Sequence, residues 1–143
     1  MMATRMLPET NIRLHNLPDA ISGCRTDSEH PIVSHIQDGG QCRIFKADFS
    51  TGESWSIRVP IHVQAETQED IIRLLEHEYD ILQQLERCFH WAPKCRGSSF
   101  TFKNAVGFPF LALSWIEGSP LAWTSTSPLR YIRNLVIAQL ARI

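Results

Sequence analysis

The sequence predicts an α+β domain: a five-stranded antiparallel sheet, one long helix packed against it, and a further helix at the C-terminal end. Three observations lead there. Residues 32–59 are rich in β-branched and aromatic side chains and are cut into three short runs by turn residues. Residues 67–87 repeat apolar side chains at spacings of three and four. Residues 108–116 form a short, nearly unbroken apolar run, which suits a buried strand better than a core helix.

The strands come first. Ile32-Val33-Ser34-His35-Ile36 leads into Asp38-Gly39-Gly40, a strong turn signal. Cys42 to Phe49 alternates apolar and polar residues, and Ser50-Thr51-Gly52-Glu53 turns the chain back. Trp55 to Val59 is the next strand, stopped by Pro60, which has no N–H to give to a ladder. No crossover segment separates these runs, so they form an antiparallel meander. Thr67 is the expected N-cap of the long helix, and Glu69 and Asp70 suit the positive end of its dipole. Ile71, Leu74, Leu75, Glu78, Leu82 and Leu85 share one face, while Glu76, Asp80, Gln83 and Gln84 fall outside it. Cys95 to Phe102 and Phe108 to Ile116 supply the last two strands, joined by a turn over 103–107. After a connection from Leu121 to Thr126, Ser127-Pro128 opens the last helix, with proline at its first position. Leu129, Ile132, Leu135, Val136, Leu140 and Ile143 trace its apolar face. The N-terminal 30 residues, broken by Pro8, Pro18 and Gly23, read as an arm holding at most a short helix. The expected units are that arm (1–30), the sheet with its long helix (31–126) and the start of a helical part (127–143).

Composition narrows the function classes. A chain of 143 residues is long enough for one domain with its own core. Hydrophobic content of 43% with 20% charged residues fits a soluble globular protein. A net charge of −1 gives no basic field for nucleic acid or an anionic membrane. No apolar run reaches the ~20 residues of a membrane span, and the N-terminus lacks the apolar core of a secretory signal. Cys24, Cys42, Cys88 and Cys95 show no paired spacing, so reduced thiols in a cytoplasmic protein are expected.

Arg58 and Glu78 stand out. Arg58 lies in a strand among Trp55, Ile57 and Val59, and Glu78 lies inside the apolar stripe of the long helix. A half-buried cation and a half-buried carboxylate each need a partner, and pairing satisfies both. The pair can be purely structural or part of a ligand site. Other motifs resolve to ordinary roles. His77-Glu78 begins like a zinc-protease helix, but Ile81 stands where the second His is required. Cys88, His90 and Cys95 lack zinc-ligand spacing, so no metal site is expected. The four tryptophans read as packing residues.

Several segments, in order, resemble the N-terminal lobe of the protein kinase-like fold, in its aminoglycoside/choline phosphotransferase branch of divergent fungal type. They are Trp55 to Pro60, Glu78 to Leu85, Ala92-Pro93-Lys94, and Gly107 to Leu111 continuing through Ile116-Glu117-Gly118-Ser119-Pro120-Leu121. The resemblance covers about residues 31–143. It implies a nucleotide cleft for ATP. Gly39 and Gly40 would match the turn over the phosphates, although a full Gly-x-Gly-x-x-Gly is missing and the turn also reads as an ordinary hairpin. Arg58 would stand where active kinases have a Lys, and Glu78 would match its helix partner. Leu113 would be the gatekeeper, with Ser114 and Ile116 offering backbone groups to the base.

The departures concern catalysis. Arg in place of Lys changes the geometry offered to a phosphate. The sequence has no His-x-Asp with a following Asn and no Asp-Phe-Gly, the groups that orient the nucleophile and hold the metal in this fold. The resemblance therefore implies a truncated, non-catalytic kinase-like protein whose ATP binding is weak or lost. One alternative is a non-catalytic interaction or regulatory module. Another is a fragment of an ATP-dependent small-molecule kinase whose C-terminal lobe is missing. The partner implied is a protein, or that missing lobe, covering the C-terminal helix.

Overall fold

The computed structural model describes residues 12–61, 65, 67–118 and 124–141. The start of the expected arm (1–11), Ser119, Pro120 and Leu121 of the kinase-like segment, Trp123, and Ile143 of the last apolar face lie outside them. Along the chain come a 3-10 turn (Leu14–Asn16), α1 (Leu17–Ser22), β1 (Ile32–Asp38), β2 (Arg43–Asp48) and β3 (Ser54–Val59). Then follow α2 (Gln68–Cys88), β4 (Cys95–Ser99), β5 (Phe110–Ser114) and α3 (Arg130–Leu140). The strands form one antiparallel sheet in the order β1-β2-β3-β5-β4. The fold is the expected α+β arrangement of a five-stranded antiparallel sheet, a long helix and a C-terminal helix.

The register assigns each side chain to a face. Phe45, Ile57 and Ala112 lie opposite one another, as do Ala47, Trp55 and Ser114. Ile44, Arg58 and Leu111, and likewise Lys46, Ser56 and Leu113, occupy the other face, because side chains alternate along a strand. The first face carries the main core. There Phe45, Trp55, Ile57, Val59 and Phe110 pack with Leu17 and Ile21 of α1 and with Ile71 of α2.

The described part of the expected arm, from Ile12 to Arg25, is thus part of the core and not an appendage. Leu17 and Ile21, one helical turn apart, are both fully buried. Pro18 sits at the first turn of α1, where a missing N–H is harmless, so a residue that reads as a breaker instead starts a helix. The segment is fixed at both ends. At one, Arg13 N–H donates to the Val106 carbonyl (2.7 Å) and the Asn16 side-chain amide donates to the Ala105 carbonyl (2.8 Å). At the other, Arg25 donates to Asp27 and to Glu53 and stacks 4.0 Å from the Phe49 ring. These bonds keep Arg25 firmly charged, and its guanidinium holds the Asp27 carboxyl well below the usual range. Asp27 and Glu53 therefore favour the fold above the ordinary carboxylate range, and that contribution fades as acid protonates them. Between the two ends, Cys24 presses on β4. A Cβ at Gly97 would stand 2.7 Å from the Cys24 Sγ, so only glycine fits there.

The helices differ from expectation in two places. In α2, Thr67 caps as predicted, its Oγ1 accepting from the Asp70 N–H at 3.2 Å. Ile71 and Leu75 are buried, but Leu74 is 52% exposed, so the inward face is narrower than the sequence stripe. In α3 the first helical residue is Arg130, and Pro128 precedes the helix instead of opening it. There Arg133 donates to the Ser127 and Pro128 carbonyls. No residue of α3 is buried.

If α1 belongs to the core, Ile21→Ala leaves a cavity under the sheet. The expected loss is about 2–4 kcal/mol, read as a lowered denaturation midpoint. An unchanged midpoint would show that the segment only rests on the surface.

Candidate functional site

Arg58 sits near the end of the central strand β3, on the face opposite the main core, between Ile44 of β2 and Leu111 of β5. Nearly three turns into α2, Glu78 points back to it, and the Arg58 Nη1 donates to the Glu78 Oε1. The pairing expected from the sequence is formed. Both side chains keep about a third of their surface in water, 32% for Arg58 and 31% for Glu78. The pair is therefore a tether at the mouth of a groove and not a sealed ion pair. The Arg58 Nε is enclosed and finds no acceptor among the described residues. A buried donor left in this way raises the energy of the free protein.

The glycine turn lies beside this pair in register. Asp38 pairs with Arg43, and Arg43 pairs with Val59, the residue after Arg58. The turn over 39–42 is closed by Gly39 N–H donating to the Cys42 carbonyl at 2.8 Å. Neither Gly39 nor Gly40 has a positive φ, and a Cβ on Gly40 would meet nothing within 4 Å. Nothing in the local backbone or packing requires glycine at residue 40. Asp38 before the turn accepts from Arg43 Nε and pairs with the His35 ring, both at 3.0 Å, which anchors the hairpin.

The remaining expected site residues lie at the other end of the sheet. Ser114 pairs with Trp55, three residues along β3 from Arg58, a distance of ~10 Å at strand rise. Its N–H is already committed to the Lys94 carbonyl (2.8 Å), and its Oγ accepts from the Lys94 N–H (2.9 Å). A base edge at Ser114 would have to use the carbonyl. Ile116 lies just past the last sheet bond, from Trp115 N–H to the Ser54 carbonyl, and is exposed. Leu113 is buried on the Arg58 face.

The structure adds residues that sequence reasoning passed over. A groove of about 380 Å3 opens between α2 and the β2 and β3 ends, lined by Cys42, Pro60, Leu74, His77, Glu78 and Ile81 among others. Cys42 sits at its base beside the ion pair. Burial pushes its thiol pKa up, the Arg58 cation pulls it down, the Glu78 carboxylate pushes it up again, and a hydrogen bond with Arg58 lowers it slightly. The net rise keeps it a neutral thiol. Its position at the start of the β2 alternation was the one sequence signal for an inward residue. Trp115 does more than pack, since the Lys46 ammonium lies 4.9 Å from its ring. Among the described residues, no group of three or more His, Cys, Asp or Glu could hold a metal ion, and no helix is long and apolar enough to cross a membrane.

No family model, curated protein or solved structure matches this chain.

With a third of each side chain in water, the Arg58–Glu78 pair falls between exposed and buried ion pairs in strength. Arg58→Ala should lower stability by about 1–2 kcal/mol. In a double-mutant cycle by chemical denaturation, Arg58→Ala and Glu78→Ala together should cost less than the sum of the two. Additive losses would show that the contact carries no energy.

Proposed function

We propose that these residues form the nucleotide-binding half of a kinase-like fold of the aminoglycoside phosphotransferase type, with ATP as the ligand and no phosphoryl transfer by these residues alone. The observation that carries the reading is the Arg58–Glu78 pair. It places a fixed, partly exposed cation on the central strand, tied to the long helix and next to a glycine turn. A phosphate chain near Arg58 would meet the guanidinium and the backbone of the turn, where Gly40 leaves open room for close approach. The base would lie toward Leu113 and the Ser114 carbonyl, with Ile116 at its edge. The ~10 Å along β3 separates the two ends of the ligand.

The proposal stops at binding. Transfer needs metal ions that bridge the phosphates and a group that orients the nucleophile. The sequence has neither the Asp–Asn catalytic pattern nor the Asp-Phe-Gly pattern that supplies them.

Gly40→Val separates a binding turn from an ordinary hairpin. The added side chain enters open space, so the melting temperature should stay unchanged. Magnesium–ATP affinity measured by titration calorimetry should fall at least about tenfold, or ~1.4 kcal/mol. Equal affinities for Gly40→Val and wild type, or no binding by either, would refute the proposal.

A further inference from the structure

The two edges of the sheet are unlike. At the β4 edge, the Glu86 carboxylate of α2 accepts from the Cys95 N–H at 3.2 Å, and Cys24 of the N-terminal segment sits against Gly97. β1, at the opposite edge, has no such cover. Six of its seven residues are exposed. Among the described residues, nothing but β2 is bonded to the backbone of residues 32–37. An edge strand aims alternate N–H and C=O groups outward, and proteins commonly blunt such an edge with lysine, proline or a covering segment. The run Ile32-Val33-Ser34-His35-Ile36-Gln37 holds neither lysine nor proline. Ile32 is 79% exposed and Ile36 46%.

This strand is complementary to itself. Two copies of β1 related by a two-fold axis run antiparallel, like every neighbouring pair already in the sheet. With Ser34 on the axis, Ile32 of each copy lies opposite Ile36 of the other, Val33 opposite His35, and Asp38 opposite His30. Ile32 and Ser34 pair with Asp48 and Lys46, on the Arg58 face, and alternation brings Ile36 to the same face. The register therefore sets each exposed isoleucine against another and an acid against an imidazole, the pairs that stabilise neighbouring strands. An axis at Val33 would put Ile36 against His30, and one at His35 would put Ile32 against Asp38. The bulge between His35 and Gln37 falls beyond the three central pairs, which lie in the regular part of the strand.

We propose that β1 is a dimer interface, pairing edge to edge with β1 of a second copy and joining two five-stranded sheets into one. Assembly stops at two copies because the β4 edge is occupied by Glu86 and Cys24. The inference does not depend on nucleotide binding.

The test uses the full chain. One variant carries Ile32→Lys and Ile36→Lys, both at exposed positions, so the fold should survive, as circular dichroism can verify. Sedimentation velocity across a wide dilution range should show a dimer for the wild-type chain and a monomer for this variant. Cross-linking reads the register, in a Cys88→Ser background that removes the exposed thiol. Ser34→Cys should form an intermolecular disulfide under mild oxidation, because the axis brings the two copies of residue 34 together. Gln37→Cys, also exposed on β1, should not, since its two copies stand about 20 Å apart along the strands. A monomeric wild type, oligomers that keep growing with concentration, or a lysine variant that still dimerises would overturn the proposal. So would equal cross-linking of the two cysteine variants, as random collision gives, or none by either, as a dimer built on another surface gives.

Discussion

A guanidinium on the central strand of a sheet sets the terms for this molecule. Arg58 has sheet on both sides and cannot turn away from the domain. Its charge must be met by something that crosses the sheet face, and Glu78 of α2 meets it. That bond fixes the rotation of the helix. With Glu78 aimed at β3, Ile71 and Leu75 are carried inward and Leu74 and Ile81 are left on the outer rim. The groove is the space that remains between the helix and the ends of β2 and β3.

The two faces of the sheet do different work. One is sealed by aromatic and β-branched residues packed against α1, and this supplies most of the hydrophobic stabilisation. The other carries Arg58, Ser56, Lys46 and Trp115 and stays partly open. The N-terminal helix covers the first face and is fixed at both ends, and α2 reaches the same core through Ile71 at its start. It is available to position Glu78. The partial opening of this face, beside its buried Leu111 and Leu113, lets a half-exposed ion pair persist without a large desolvation cost.

Much of this was legible in the sequence, for local reasons. The three-stranded run over 32–59, the Thr67 cap and the inward Glu78 follow from periodicity and capping chemistry that act within a few residues. The Arg58–Glu78 contact was legible because an awkward cation and an awkward carboxylate limit each other's options. The role of α1 was not, since six residues with one proline show too little period to reveal a face. Leu74 misled because it stands close to Ile71 and Glu78 around the helix and so still satisfies spacings of three and four. The commitment of the Ser114 N–H to Lys94 depends on the order of strands β3, β5 and β4, which no local pattern encodes. Gly97 is likewise explained only by Cys24, 73 residues earlier and brought against it by the fold.

The proposed nucleotide site is the Arg58 face, running from the glycine turn to the end of β5. Backbone amide chemical shifts, followed by heteronuclear NMR as magnesium–ATP is added to the isotope-labelled chain, test it most directly. The account predicts a saturable set of shifts in two groups, Gly39 to Gln41 near Arg58 and Trp115 to Ile116 at the far end of the sheet. The amides of α1 should stay still. Shifts confined to other surfaces, or none at all, would contradict it.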